Sequence, residues 1–152
     1  LEDLPATDIA SGTAAVDTIA RVVAEVSPTI VYTHSVHDDE ADHRAVHEAA
    51  LTAAAAVPTF SAFQSQSSTV DFRPTKFVSI DGYTDTKIAL VECFRGEEGI
   101  RSYLEPEFVL ASARYWGRFG GGTSVEPLEV IREAVTAVDS AVPVVASSST
   151  EA

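Results

Sequence analysis

Positive charge is scarce in this chain. Ten Lys and Arg stand against 23 Asp and Glu, for a formal net charge of −13 at pH 7. Phosphate recognition needs a basic footprint, so the composition argues against nucleic acid as a partner, and equally against an anionic membrane surface. Only Lys76 and Lys87 are lysines. Cysteine is rarer still. Cys93 stands alone, so no disulfide can form within the chain, and a reducing cytoplasm is the expected compartment. Its apolar helical surroundings predict a small buried residue. No apolar run approaches the roughly 20 residues that span a bilayer. The sequence opens on Leu1-Glu2-Asp3-Leu4-Pro5, which is neither a signal peptide nor a Met start; a piece of something longer is expected.

What is present suffices for one domain. The chain has 152 residues, 45% of them apolar, enough to enclose a core. Val16, Ile19, Val23 and Val26 step along one face, predicting a helix over residues 13–26 that Ser27-Pro28 ends. Residues 29–33 are short, β-branched and apolar, predicting a buried strand. Asp42 is placed to cap a helix over residues 43–56. Strands are predicted over 59–63, 76–80 and 125–131, and helices over 85–95 and 105–119. The last of these opens on Pro106, and Phe108, Ala111 or Ser112, Tyr115 and Phe119 are expected on its inner face. Residues 120–122 form a glycine loop with no phosphate-cradle signature. The alternation predicts an α/β fold with a mostly parallel sheet. Residues 1–135 read as the folded unit and 136–152 as a flexible tail.

Residues 37–47 hold three histidines and four carboxylates, at the expected C-terminal end of the first strand. Metal-ligand residue types in that position point to a site. Several readings stand side by side. His43 and His47, one helical turn apart, could share a metal, or His47 could simply pack. His37, Glu40 and His43 could form a local group, or the acidic residues could be a solvated loop. His34, at the strand end, could touch substrate or serve the structure.

Read together, residues 28–34 and the run Asp42-His43-Arg44-Ala45-Val46-His47-Glu48-Ala49-Ala50-Leu51 resemble the zinc-dependent N-deacetylases of the PIG-L/LmbE type, which act on substrates containing N-acetylglucosamine. The resemblance continues through Phe72-Arg73-Pro74-Thr75-Lys76-Phe77-Val78, Asp85-Thr86-Lys87-Ile88, Ala113-Arg114-Tyr115-Trp116-Gly117 and Val125-Glu126-Pro127-Leu128. It covers residues 1 to about 132.

The resemblance implies a partial Rossmann-like, three-layer α/β fold with zinc at the C-terminal ends of the strands. It implies two motifs. A His-Pro-Asp-Asp-Glu supplies two zinc ligands and a general base. A His-Pro-Asp-His supplies the third ligand from its last His, while its first His stabilises the oxyanion and helps protonate the leaving amine. The second motif aligns with Glu40-Ala41-Asp42-His43. His43 matches the zinc ligand and Asp42 the acid that supports it. Glu40 stands where the assisting His belongs. The first motif is not in these 152 residues, and the remaining zinc ligands are expected from outside them. The expected activity is hydrolysis of an N-acetyl group on an amino sugar, with this chain alone inactive. The rival is a degenerate, non-catalytic module for carbohydrate or protein binding. A cut sheet exposes an edge and an apolar face, so a homo-oligomer or docking with an N-terminal segment is expected.

Overall fold

The computed structural model describes residues 12–93 and 104–134. The predicted tail lies outside them, as do residues 1–11 and the end of the helix predicted over 85–95. Helix α1, Thr13–Val26, follows its predicted bounds, and Ser27 closes it in the left-handed region (φ 49°), its N–H on the Val23 carbonyl at 2.9 Å. Strand β1, Ile30–His34, leads through a loop to α2, Ala41–Ala53, and on to β2, Thr59–Phe63. β1 and β2 pair in parallel, Ile30 opposite Thr59 and His34 opposite Phe63. Ala50, Ala54, Val57 and Phe60 form the core between these elements, with Ile19, Val23, Val31 and Leu51 packed against it. Arg132 donates to the Ala54 and Val57 carbonyls at 2.7 and 2.9 Å, satisfying backbone acceptors where α2 ends.

The second half runs β3, Lys76–Ser79; α3, Thr84–Glu92; α4, Pro106–Gly120; and β4, Val125–Glu133. The sheet order is β1-β2-β4-β3. β4 lies antiparallel to both β2 and β3, so the fold is mixed α/β and the sheet is mixed rather than mostly parallel. The connections explain the difference. One helix between β1 and β2 returns the chain to its starting end, which gives a parallel pair. Two described helices, α3 and α4, separate β3 from β4 and leave the chain at the opposite end. Gly121 (φ 72°) then turns it into β4.

Two side-chain expectations are corrected. The buried face of α4 is Val109, Ala113 and Gly117, while Phe108, Tyr115 and Phe119 are exposed. The helix approaches so closely that a Cβ on Gly117 would sit 2.6 Å from the Thr123 carbonyl oxygen, which leaves room only for small residues. Cys93 is exposed at the end of α3. The expectation of a buried first strand is corrected too: β1 lies at the edge of the described sheet, and Ile30 and Tyr32 are exposed. Among the described residues no helix is long and apolar enough to cross a membrane.

Candidate metal centre

The parallel pairing delivers the C-terminal ends of β1 and β2 side by side. Two loops follow, and backbone bonds stitch them together. The Asp39 N–H reaches the Ser67 carbonyl, and the Thr69 N–H reaches the His37 carbonyl, both at 2.9 Å. Beneath them Ser35 is fully buried; its hydroxyl donates to Glu129 Oε2 at 2.5 Å and accepts from the His37 N–H at 3.0 Å. These contacts fix the β1–α2 loop, which sequence pattern alone assigns to solvent.

Asp38 is the buried centre of that loop, 2% exposed. Its carboxylate accepts from the Ser65 hydroxyl, from the Ser67 hydroxyl at 2.7 Å and from the Glu40 N–H at 3.0 Å, and it pairs with His43 Nδ1 at 3.1 Å. Burial alone would raise its pKa. The hydrogen bonds from Ser65, Ser67, Glu40 and His43 outweigh that and hold the carboxyl below its usual range. The Arg44 guanidinium donates to the Asp38 carbonyl. His43 projects from the first turn of α2, its N–H accepted by Asp42 Oδ1 at 2.9 Å. His34 comes from the last residue of β1. Its ring stacks on His43 and leans on Phe63, with a centroid distance of 4.7 Å.

His34, Asp38 and His43 therefore converge, one ligand atom from each lying within 4.8 Å of the others, and the group could hold a metal ion. Two observations fit a cation. His34 Nδ1 is buried without a hydrogen-bond partner, an exception among buried polar groups. The imidazole is also held below its usual pKa, first by burial and then by His43, against Asp38 and Asp42. A neutral imidazole is the form that coordinates metal. Ligand atoms on a tetrahedral zinc lie about 3.4 Å apart, given bonds near 2.1 Å, so the group would close by at most about 1.4 Å.

The sequence pointed to His43, and the structure includes it. The remaining donors were expected outside the chain; His34 and Asp38 offer two candidates from within it. Glu40 and Asp42 lie outside the three-residue group but line the cavity beside it. Asp42 is not the cap. The helix starts at Ala41 with Glu40 at the N-cap position, where its side chain makes no capping bond, and the Asp38 carboxylate takes the Glu40 N–H instead. His37 is exposed. His47 is buried; its Nδ1–H donates to the His34 carbonyl at 2.7 Å and its ring meets Phe60 edge-on. It packs, and it steadies the strand end that carries His34. The missed signal is the spacing His34, Asp38, His43 across one strand–helix junction.

A cavity of about 640 Å³ opens over this group, lined by Phe63, Gln64, Ser65, Gln66, Ser67, Lys87, Val91 and Leu104 as well as His34, Glu40, Asp42 and His43. Lys87 is paired with Glu126 at 2.8 Å.

The sequence matches no protein-family model and no curated protein. Among solved structures it is similar to GalB, the 4-carboxy-2-hydroxymuconate hydratase of Pseudomonas putida KT2440. The TM-score is 0.65 at 22% identity, over 80% of this chain and 60% of that one. The likeness is one of fold, and the chain spans about three-fifths of that structure's length.

Proposed function

We propose that this chain carries a zinc centre and belongs to a hydrolase of the PIG-L/LmbE type that removes an N-acetyl group from an N-acetylated amino sugar. The observation that carries the reading is the convergence of His34, Asp38 and His43 beside a ligand-sized cavity. Two imidazoles and a carboxylate are a donor set of catalytic zinc, which takes three protein ligands and leaves a position open. β1–α2–β2 would be the parallel unit of a Rossmann-like, three-layer fold.

Zinc held there supplies a Lewis acid and lowers the pKa of a water molecule toward about 7. The chain's residues do the rest. His34, Asp38 and His43 hold the ion. Asp42 accepts the His43 N–H and sets the turn from which that ring projects. Glu40 is exposed on the cavity wall and acts as proton carrier: it takes a proton from the attacking water as that oxygen adds to the amide carbon, and returns it to the nitrogen as the C–N bond breaks. Cytoplasmic location and docking with a further segment along exposed β1 belong to the same reading.

The fold likeness to a hydratase favours a second reading, water addition to an unsaturated acid, with the same three ligands. Metal content by mass spectrometry, with acetate release from N-acetylglucosamine conjugates, tests the first. In the full-length protein, stoichiometric zinc and acetate release are expected, both lost in His43→Ala. Zinc and acetate release unchanged in that variant would sink the assignment. Zinc without turnover of either substrate class would leave a non-catalytic binding module.

A further inference from the structure

We infer that Gln64 is the hydrogen-bond donor that recognises a carbonyl or hydroxyl oxygen of the ligand in the cavity, and that Trp116 fixes it in that role. The inference rests on the reading of this cavity as the substrate site. Gln64 directly follows Phe63, the last residue of β2, whose ring lies against His34. It lines the 640 Å³ cavity together with His34 and His43. It also lines a smaller cavity of about 150 Å³ beneath α4, with Val109 and Ala113.

The Trp116 indole N–H donates to Gln64 Oε1 at 2.7 Å. An indole nitrogen can only donate, so the amide oxygen must face it. That leaves both N–H bonds of Nε2 for the cavity. The indole is itself held in an aromatic cluster, with Tyr115, Phe119 and Phe77 at centroid distances of 5.0, 5.7 and 6.1 Å. The orientation of Gln64 is therefore set before any ligand arrives.

Gln66 is a second amide on the wall of both cavities, but among the described residues no bond like that from Trp116 fixes its orientation; the remaining polar groups are committed or of the opposite kind. Glu40 and Asp42 offer carboxyl oxygens as acceptors. The Lys87 ammonium is engaged by Glu126, and the hydroxyls of Ser65 and Ser67 donate to Asp38. Gln64 supplies a neutral donor where the neighbouring carboxylates disfavour an anion. The ligand chemistry that fits is uncharged and oxygen-rich: an amide carbonyl or a sugar hydroxyl.

The test is a side-chain ¹H–¹⁵N titration of the full 152-residue chain with N-acetylglucosamine and with glucosamine. The sequence has one tryptophan, so the indole signal of Trp116 needs no assignment, and Gln64→Glu identifies the Gln64 amide pair. Sugar is expected to shift the Gln64 amide signals. A shift with N-acetylglucosamine alone supports recognition of the acyl oxygen; a shift with both supports a ring hydroxyl. Gln64→Glu keeps the bond to Trp116 and loses both donors, Gln64→Met loses them without adding charge, and both should bind about 3- to 10-fold more weakly, as for one neutral hydrogen bond. Trp116→Phe keeps the ring packing, and its Gln64 signals should move and broaden. Unshifted Gln64 signals with both sugars, or wild-type binding in both Gln64 variants, would overturn the inference. Gln64 shifts without acetate release by the zinc-loaded full-length protein would overturn the hydrolase reading alone. Acetate release with wild-type kcat and KM in both Gln64 variants would overturn the Gln64 assignment alone.

Discussion

The imidazoles of His34 and His43 lie nearly parallel, with centroids 3.7 Å and planes 16° apart. Two imidazolium ions would repel in that arrangement, and burial together with His43 does hold His34 below its usual pKa. The stack joins the last residue of a strand to the first turn of the following helix. The donors of the candidate centre thus come from a single β–α junction.

Zinc affinity checks that relationship directly. His34→Ala and Asp38→Asn should each weaken binding by more than about 100-fold, beyond the 10- to 100-fold loss usual for groups that only support a ligand. Zinc at 100 times its Kd should stabilise the wild-type chain by about 2.7 kcal/mol, an effect reversed by chelation. Chelator competition and thermal unfolding measure the two. Wild-type affinity in His34→Ala would remove His34 from the site.

Ser67 offers a finer probe. Its hydroxyl donates to Asp38 Oδ1 at 2.7 Å and lies 3.4 Å from His43 Nδ1. Ser67→Ala should lower zinc affinity by about 10- to 100-fold while leaving the stoichiometry intact. If affinity stays at the wild-type level, the Ser65 hydroxyl and the Glu40 N–H orient Asp38 without Ser67.

Much of this molecule was legible along the chain, where the information is local. The spacing of Val16, Ile19, Val23 and Val26 with the Ser27-Pro28 stop gave the bounds of α1, and the strand expected over 59–63 coincides with β2. His43 stood out through its motif. Asp38 did not, because its burial depends on residues 65–68 folding back from the end of a different strand. The inner face of α4 was misplaced for a related reason. Hydrophobicity favours Phe108, Tyr115 and Phe119, but the close approach of residues 122–123 favours whichever face is smallest. The direction of β4 depends on how many helices precede it, which no local window reports.

Gly117→Ala tests that close approach. The added Cβ would meet the Thr123 and Gly122 carbonyl oxygens at 2.6 and 2.8 Å, both backbone atoms that cannot swing aside. The helix or the loop must move, and a loss of about 1–3 kcal/mol is expected in denaturant unfolding, the usual range for overpacking. Unchanged stability would mean the 121–123 turn yields freely, and the small inner face of α4 would need another cause.

Asp81 ties that same turn to the end of β3, and it makes stability depend on pH. Its Oδ2 accepts the Thr123 N–H at 3.0 Å and its Oδ1 the Ser124 N–H at 2.8 Å. These two bonds favour the charged form and hold the carboxyl below its usual pKa, against a small opposing effect of burial. A folded-state pKa below the unfolded one means that the unfolded chain binds more protons in acid. The contribution is then fully present above the unfolded value, about 3.9, and is lost as pH falls through the folded value. Asp81→Ala should therefore be less stable than wild type at neutral pH, and the gap should narrow as pH falls below about 4. Paired urea titrations across that range measure it. A gap of constant size down to pH 2 would show that the geometry of the side chain, and not its charge, holds the turn.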